Sequence, residues 1–218
     1  MNPRESKPIQ WALKRVVDVG ASTFGLTVLA PALALLGVAI RLDSPGGAIF
    51  AQERVGRGGR VFRLYKLRTL RSGAPMVLNP DGSTKVGTAD ARLTRVGRVL
   101  RGGLDELPQL WNVLRGDMSL VGPRPEMPMH AALYTDEEER KLAIRPGITS
   151  LAAVLGRNDI YWRTRIAIDL RYLEGWSLVL DAKIALQTLL LPLGLRPFDF
   201  ADELGDLSIS PASPERRS

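Results

Sequence analysis

An apolar run from Val16 to Ile40, interrupted by charge only at Asp18, dominates the hydropathy of the chain. From Val19 onward it is about 22 residues long, close to the roughly 20 that a helix needs to cross a bilayer. It is too long for the apolar part of a cleaved signal peptide, and no small-residue cleavage site precedes Arg41, so the segment is expected to be retained. Pro31 falls near its middle, where a proline removes a backbone hydrogen bond and kinks a helix. Basic residues flank both sides, Lys14 and Arg15 before and Arg41, Arg54, Arg57 and Arg60 after, so both flanks favour the cytoplasm. A helix that bends at Ala30-Pro31 and returns to the face it entered satisfies both features. A spanning helix with a tolerated proline also fits, and a buried core helix fits less well. Asp18 follows Lys14 by one helical turn and is placed to pair with it.

Beyond the turn cluster Ser44-Pro45-Gly46-Gly47, two strand-like runs, Ala48 to Arg54 and Arg60 to Leu67, flank Val55-Gly56-Arg57-Gly58-Gly59 and predict a β-hairpin. The glycines there match no complete phosphate-loop or dinucleotide fingerprint and read as a turn. In the extended stretch Tyr65 to Thr69, Lys66 and Arg68 alternate onto one side. Ser72 to Asp90 reads as a long loop, and Leu93 to Arg101 as a short helix with arginines at three-residue steps.

The segment Leu104 to Pro125, LDELPQLWNVLRGDMSLVGPRP, concentrates the chemistry. Pro108 suits a first helical turn, which places a helix start near Asp105. Leu104, Leu107, Trp111 and Leu114 recur at helical spacing as the expected buried stripe, with Asp105, Gln109 and Asn112 on another face. Gly116 is the expected helix end. Pro123 and Pro125 stiffen a turn around Arg124, whose guanidinium suits a phosphate. An Asp-Glu pair at a helix start serves equally as a cap with a favourable dipole contact. Thr135-Asp136-Glu137-Glu138 predicts a further helix start, and Ile160 to Leu193 one or two amphipathic helices.

The expected class is α+β, mainly helical. Residues 1–43 form a basic segment and re-entrant membrane helix, 44–197 one folded domain with the hairpin, which the family resemblance described below makes cytoplasmic and catalytic, and 198–218 a disordered tail rich in acids, Pro, Ser and Arg. The 218 residues suffice for one domain with a real core. A net charge of +7 and a pI near 10.1 imply anionic partners without choosing among nucleic acid, lipid and phosphorylated substrates. Absence of cysteine excludes disulfides, thiolate metal sites and a Cys nucleophile, and the single His130 cannot build a multi-histidine metal site.

Taken together, LDELPQLWNVLRGDMSLVGPRP, the apolar anchor, Ile144-Arg145-Pro146-Gly147-Ile148-Thr149, Gly156-Arg157-Asn158 and the Trp176-to-Asp181 run resemble the bacterial sugar transferases, the monotopic polyprenol-phosphate phosphoglycosyl transferases. Similarity covers about Lys14 to about Leu190. The resemblance implies a re-entrant membrane helix broken at Ala30-Pro31, where the family has Ser-Pro. It also implies transfer of a sugar-1-phosphate from a UDP-sugar to a polyprenyl phosphate such as undecaprenyl phosphate, with UMP released. Asp105 takes the nucleophile position, forming a covalent phosphosugar intermediate. Glu106 joins it at the catalytic site, and either carboxylate is the protein contact for Mg²⁺. Lys66, Arg68, Arg101, Arg124, Arg145 and Arg157 become phosphate or substrate ligands.

The implied location is the cytoplasmic face of the bacterial inner membrane. The bilayer is a partner and nucleic acid is not, while self-association stays open. Two departures stand out: the link Arg101-Gly102-Gly103-Leu104 is one residue shorter than usual, and Ser150-Leu151-Ala152-Ala153 replaces Gly-Trp-Ala-Gln. An inactive family member serving as a membrane assembly partner is the first alternative, and a basic anion-binding module on a membrane anchor the second.

Overall fold

The computed structural model describes residues 7–78, 90–156 and 161–205. Helix α1 spans Pro8–Asp43, 36 residues with Pro31 inside. The break expected at Ala30-Pro31 is not seen; helical structure continues on both sides of the proline. By composition and length α1 could cross a membrane. One stripe of it, through Trp11, Lys14, Asp18, Ser22 and Ile40, is buried against the rest of the chain. Phe24, Val28, Leu35 and Val38 on its outer side are exposed. An outward apolar face of this extent fits a lipid environment and not a buried core helix.

Both ends of α1 are fastened to the same body. Near the N-terminus, the buried Lys14 donates to Asp181 at 2.6 Å and to the Val121 carbonyl at 2.9 Å. Asp18 accepts from the Ser119 hydroxyl and the Leu120 N–H, both at 3.0 Å. The expected Lys14–Asp18 pairing is therefore replaced by two separate tertiary contacts, because docking on the domain offers each charge a better-aligned partner than its helical neighbour does. Trp11 stacks on Trp176, ring centroids 4.0 Å apart. At the other end Ile40 is buried with Leu67 and Leu100.

The hairpin follows as antiparallel β1 (Ile49–Val55) and β2 (Val61–Leu67), closed by a 3₁₀ turn at Arg57–Gly59, in the register Ile49↔Leu67 to Val55↔Val61. Helix α2 (Arg95–Leu100) packs on the segment after β2 through Gly97, where a Cβ would come within 2.0 Å of the Thr69 carbonyl oxygen. A 3₁₀ turn at Leu104–Glu106 leads into α3 (Gln109–Arg115). Strand β3 (Ser119–Val121) then pairs in parallel with β4 (Gly147–Thr149). Short helices α4 (Pro128–Ala131) and α5 (Asp136–Glu139) lie between them, α5 starting in a complete Thr135–Glu138 capping box. Helices α6 (Leu151–Gly156), α7 (Trp162–Gly175), α8 (Leu178–Leu190) and α9 (Ala201–Leu204) complete the described chain.

The main core joins Val121, Ile144, Leu151, Ile168, Tyr172, Trp176 and Ile184. Phe200 and Leu204 belong to it, so the tail expected from Phe198 stays packed through its first turn of helix. Phe198 packs beside them, and the Phe198 N–H donates to Gln187 at 3.3 Å, so apolar burial and a link to α8 hold a segment of otherwise polar composition. Residues 206–218 lie outside the described residues.

The buried Lys14–Asp181 pair is the firmest link between α1 and the domain, since Asp181 also accepts from the Tyr172 hydroxyl at 2.6 Å. Removing one partner of a buried ion pair leaves an uncompensated charge. Lys14→Met should lower the unfolding free energy by about 3–5 kcal/mol, measured by denaturant unfolding of detergent-solubilised protein.

Candidate active site

Asp105 and Glu106 occupy the 3₁₀ turn ahead of α3, with Pro108 at the N-cap. Gly103, at φ 131°, turns the chain into this position through a conformation that L side chains rarely adopt. The α3 face that packs inward is the reverse of the expected one. Gln109 and Asn112 are buried, whereas Leu104 and Trp111 are about half exposed. The reason is a specific polar bridge: Asn112 accepts from the Tyr65 N–H at 3.0 Å and donates to the Arg63 carbonyl at 2.7 Å. With a further bond from its Nδ2 to Asp117 at 3.2 Å, the buried amide has partners for its oxygen and its NH2, so the polar stripe can face inward. The bonds to Tyr65 and Arg63 also pin the start of α3 to β2.

That pinning brings Lys66, near the end of β2, to Glu106. Its Nζ donates to Glu106 Oε1 at 2.5 Å. Burial alone would raise the Glu106 carboxyl, but Lys66, Arg124 and a hydrogen bond from Gln109 hold it below its ordinary value. Asp105 is shifted the other way. Burial raises it, the neighbouring Glu106 adds to the rise, and Lys66 and Arg101 only partly offset it. Two adjacent carboxylates thus differ in kind: one is held as an anion by direct partners, the other carries its charge against burial.

Of the predicted ligands, the structure brings Lys66, Arg101 and Arg124 into the field of the dyad. The Gly102-Gly103 link, though short, returns the chain so that Arg101 acts on Asp105. Arg68 does not join them. It is buried at the C-terminal end of α1, donating to the Ile40, Ser44 and Pro45 carbonyls and to Ser72. A cation there satisfies carbonyls that the helix end leaves open. Arg145 likewise donates to the Gly116 carbonyl at 2.8 Å, just past α3, where Arg15 also binds the Val113 and Leu114 carbonyls. Both arginines serve helix ends that the sequence pattern alone does not reveal. Arg157 lies outside the described residues.

Other contributors went unrecognised in the sequence. Arg54 donates to the Pro125 carbonyl and the Val55 N–H to the Glu126 carbonyl, so the hairpin clamps the turn that carries Arg124. Glu126 is buried; burial would raise it, but His130, its Nδ1 3.7 Å from Glu126 Oε2, and the charges of Lys141, Arg165 and Arg124 bring it down to about 2. Among the described residues no group of three or more acidic, His or Cys side chains could enclose a metal. The oxygen-only Asp105–Glu106 pair fits Mg²⁺, which commonly takes one or two carboxylates and completes its shell with water and substrate phosphate oxygens. The burial-raised Asp105 carboxyl is a group whose charged form such a cation would stabilise.

A carboxylate dyad set among cations beside a lipid-suited helix is the outline of a membrane-associated phosphate-processing site. Residues 9–193 match the bacterial sugar transferase family, and the chain belongs to it. Similar relatives include the UDP-glucose:undecaprenyl-phosphate glucose-1-phosphate transferase of Caulobacter vibrioides, 46% identical over 186 residues that cover 80% of this chain and 67% of the relative. The exopolysaccharide production protein ExoY of Rhizobium meliloti is 37% identical over 195 residues, 84% of this chain and 86% of the relative. The undecaprenyl-phosphate glucose phosphotransferase of Komagataeibacter xylinus is 40% identical over 190 residues, 81% of this chain but 35% of that longer protein.

The opposed shifts make a testable statement about charge. A raised Asp pKa means the anion is lost at a higher pH as acid is added, and Lys66 opposes that rise. In a ¹³C-carboxyl titration, Asp105 should titrate above an ordinary aspartate, Lys66→Met should move it higher still, and saturating Mg²⁺ should move it down. Arg68→Met should leave that titration in place while costing about 2–3 kcal/mol of stability, from the loss of charged hydrogen bonds at a buried helix end.

Proposed function

We propose that this chain transfers a sugar-1-phosphate from a UDP-sugar to a polyprenyl phosphate, with Asp105 as the nucleophile. The observation that carries the reading is the convergence of Asp105 and Glu106 with Lys66 and Arg124, next to a helix with an apolar outer face. The names of the relatives supply the substrate class: a UDP-sugar donor and an undecaprenyl-phosphate acceptor in the Caulobacter protein.

In the first step the Asp105 carboxylate attacks the sugar-linked phosphorus. The bond from that phosphorus to the bridging oxygen breaks, and UMP leaves with the electron pair. The product on the protein is an acyl phosphate carrying the sugar. In the second step an oxygen of the polyprenyl phosphate attacks the same phosphorus, and the Asp105 carboxylate leaves, giving a polyprenyl diphosphate sugar. Lys66 and Arg124 stabilise charge on the transferring phosphoryl oxygens, where it gathers during displacement. Glu106, held anionic by Lys66, anchors that lysine at the site. Bound to Asp105 or Glu106, Mg²⁺ would neutralise the diphosphate and assist the departure of UMP.

The two-ended fastening of α1 supports a same-side geometry for the membrane element. A straight crossing would carry one end of the helix through the bilayer, away from the domain that holds it. Both ends on the cytoplasmic face of the inner membrane, with the outer apolar face in lipid, is the arrangement these contacts favour. There the acceptor's phosphate can reach Asp105 while its tail stays in the bilayer.

Full-length protein in lipid nanodiscs, supplied with polyprenyl phosphate, Mg²⁺ and a panel of UDP-sugars, should release UMP with at least one of them. Asp105→Asn should lose at least about 1,000-fold in kcat while remaining membrane-bound. Near-normal UMP release from that variant refutes the nucleophile assignment, and no release by the parent chain from any donor favours an inactive family member. Tags at Met1 and at the C-terminus should both be accessible from the cytoplasmic face; protection on opposite faces refutes the same-side geometry.

A further inference from the structure

Behind the Arg124 turn lies a buried charge cluster that the transfer chemistry does not use. Lys141, in the 3₁₀ turn at Arg140–Ala143, and Asp169, on α7, form an ion pair at 2.9 Å with side chains only 2% and 1% exposed. The same Asp169 oxygen, Oδ2, accepts the backbone N–H of Arg124 at 3.3 Å. Three separate elements meet at one carboxylate oxygen.

The position of that N–H is unusual in its consequence. In Pro123-Arg124-Pro125 both prolines lack an N–H, so the Arg124 amide is the one backbone donor of the turn. Asp169 therefore holds the only N–H by which the turn can be fixed from within the protein. The carbonyl side is held separately, with Arg54 on the Pro125 oxygen and the Gly147 N–H on the Pro123 oxygen. Burying an ion pair is a poor way to gain stability, since well-packed apolar residues of similar volume serve as well or better. The other Asp169 oxygen, Oδ1, is buried with no hydrogen-bond partner among the described residues, a cost that packing alone would not retain.

We propose that Asp169, its buried charge compensated by Lys141, is a positioning residue that fixes the Arg124 turn so that its guanidinium faces Asp105-Glu106. The pair contacts neither dyad carboxylate and acts through the Arg124 backbone. This rests on the transferase reading for its effect on turnover, but its effect on the turn is independent of that reading.

Two double variants of the full-length protein in nanodiscs separate the hydrogen bond from the charge. Lys141→Met with Asp169→Leu removes both the pair and the acceptor. Lys141→Met with Asp169→Asn removes the charges and leaves one acceptor oxygen for the Arg124 N–H. Hydrogen exchange at the Arg124 amide, the one exchanging amide between Pro123 and Pro125, is read by subtracting overlapping peptides that end on either side of it. The Leu variant should exchange there at least about tenfold faster than the parent, and the Asn variant should keep most of the protection.

In UMP release the Leu variant should lose about 10- to 100-fold in kcat with KM for the UDP-sugar changed less than about threefold, and the Asn variant should recover most of the rate. Unchanged Arg124 exchange in the Leu variant, or kcat within twofold of the parent at matched thermal stability, overturns the proposal. If the Leu variant does not fold, the Asn variant decides. Retained protection and rate support the proposal, and loss of either by tenfold or more in a protein of native stability overturns it. A parent chain that releases no UMP would sink the transferase reading, while the exchange result would still decide whether the pair fixes the turn.

Discussion

Both ends of α1 are fastened to one small domain, and the placement of the site follows from that constraint. Lys14 and Asp18 bind at β3 and α8, while Ile40 and the carbonyls beyond it bind at β2, α2 and Arg68. Between these anchors α3 rests on α1, close enough that a Cβ at Gly25 would lie 3.1 Å from Leu110. The dyad sits at the start of that same α3. A helix whose outer side is apolar thereby carries the Asp105-Glu106 carboxylates at a set distance from whatever medium covers it. The buried polar contacts give the anchor a unique register, which greasy packing alone specifies poorly.

Electrostatics then divides the labour within the site. Glu106 has Lys66 in direct contact and stays anionic. Asp105 has cations only at a distance and bears the cost of burial. A carboxylate in that condition is less comfortably charged, and an incoming cation or substrate that compensates it gains accordingly. The cations around it are not a diffuse basic surface. Arg54 falls to about 10 chiefly through burial, with Arg124 adding repulsion, so positive groups are crowded here against their own interest.

The sequence made much of this legible. Patterning gave the long apolar helix, the hairpin, the Gly116 helix end and the Thr135 cap because each depends on local periodicity or a local cap. The Asp105-Glu106 pair and the Arg124 turn were visible as a motif. What local pattern could not show was the partner of each cation. Lys66, Arg68, Arg124 and Arg145 look alike as basic residues beside turns. Only the tertiary fold sends Lys66 and Arg124 to the dyad and commits Arg68 and Arg145 to helix ends. The inverted face of α3 was hidden for the same reason: Asn112 is buried because backbone groups of β2 satisfy it, and periodicity assumes that polar side chains face water. Likewise Phe200 and Leu204 hold the start of a tail whose composition suggests disorder.

The central claim is that Asp105 itself carries the phosphosugar between donor and acceptor. It is tested most directly by trapping that species. The full-length protein is incubated with Mg²⁺ and a UDP-sugar that supports UMP release, polyprenyl phosphate is withheld, and the quenched protein is analysed by intact-mass and peptide mass spectrometry. A single added sugar-phosphate is expected, located on Asp105, that is discharged on adding polyprenyl phosphate. An adduct on Glu106 or another residue, or steady turnover with no adduct under conditions that preserve acyl phosphates, would contradict it.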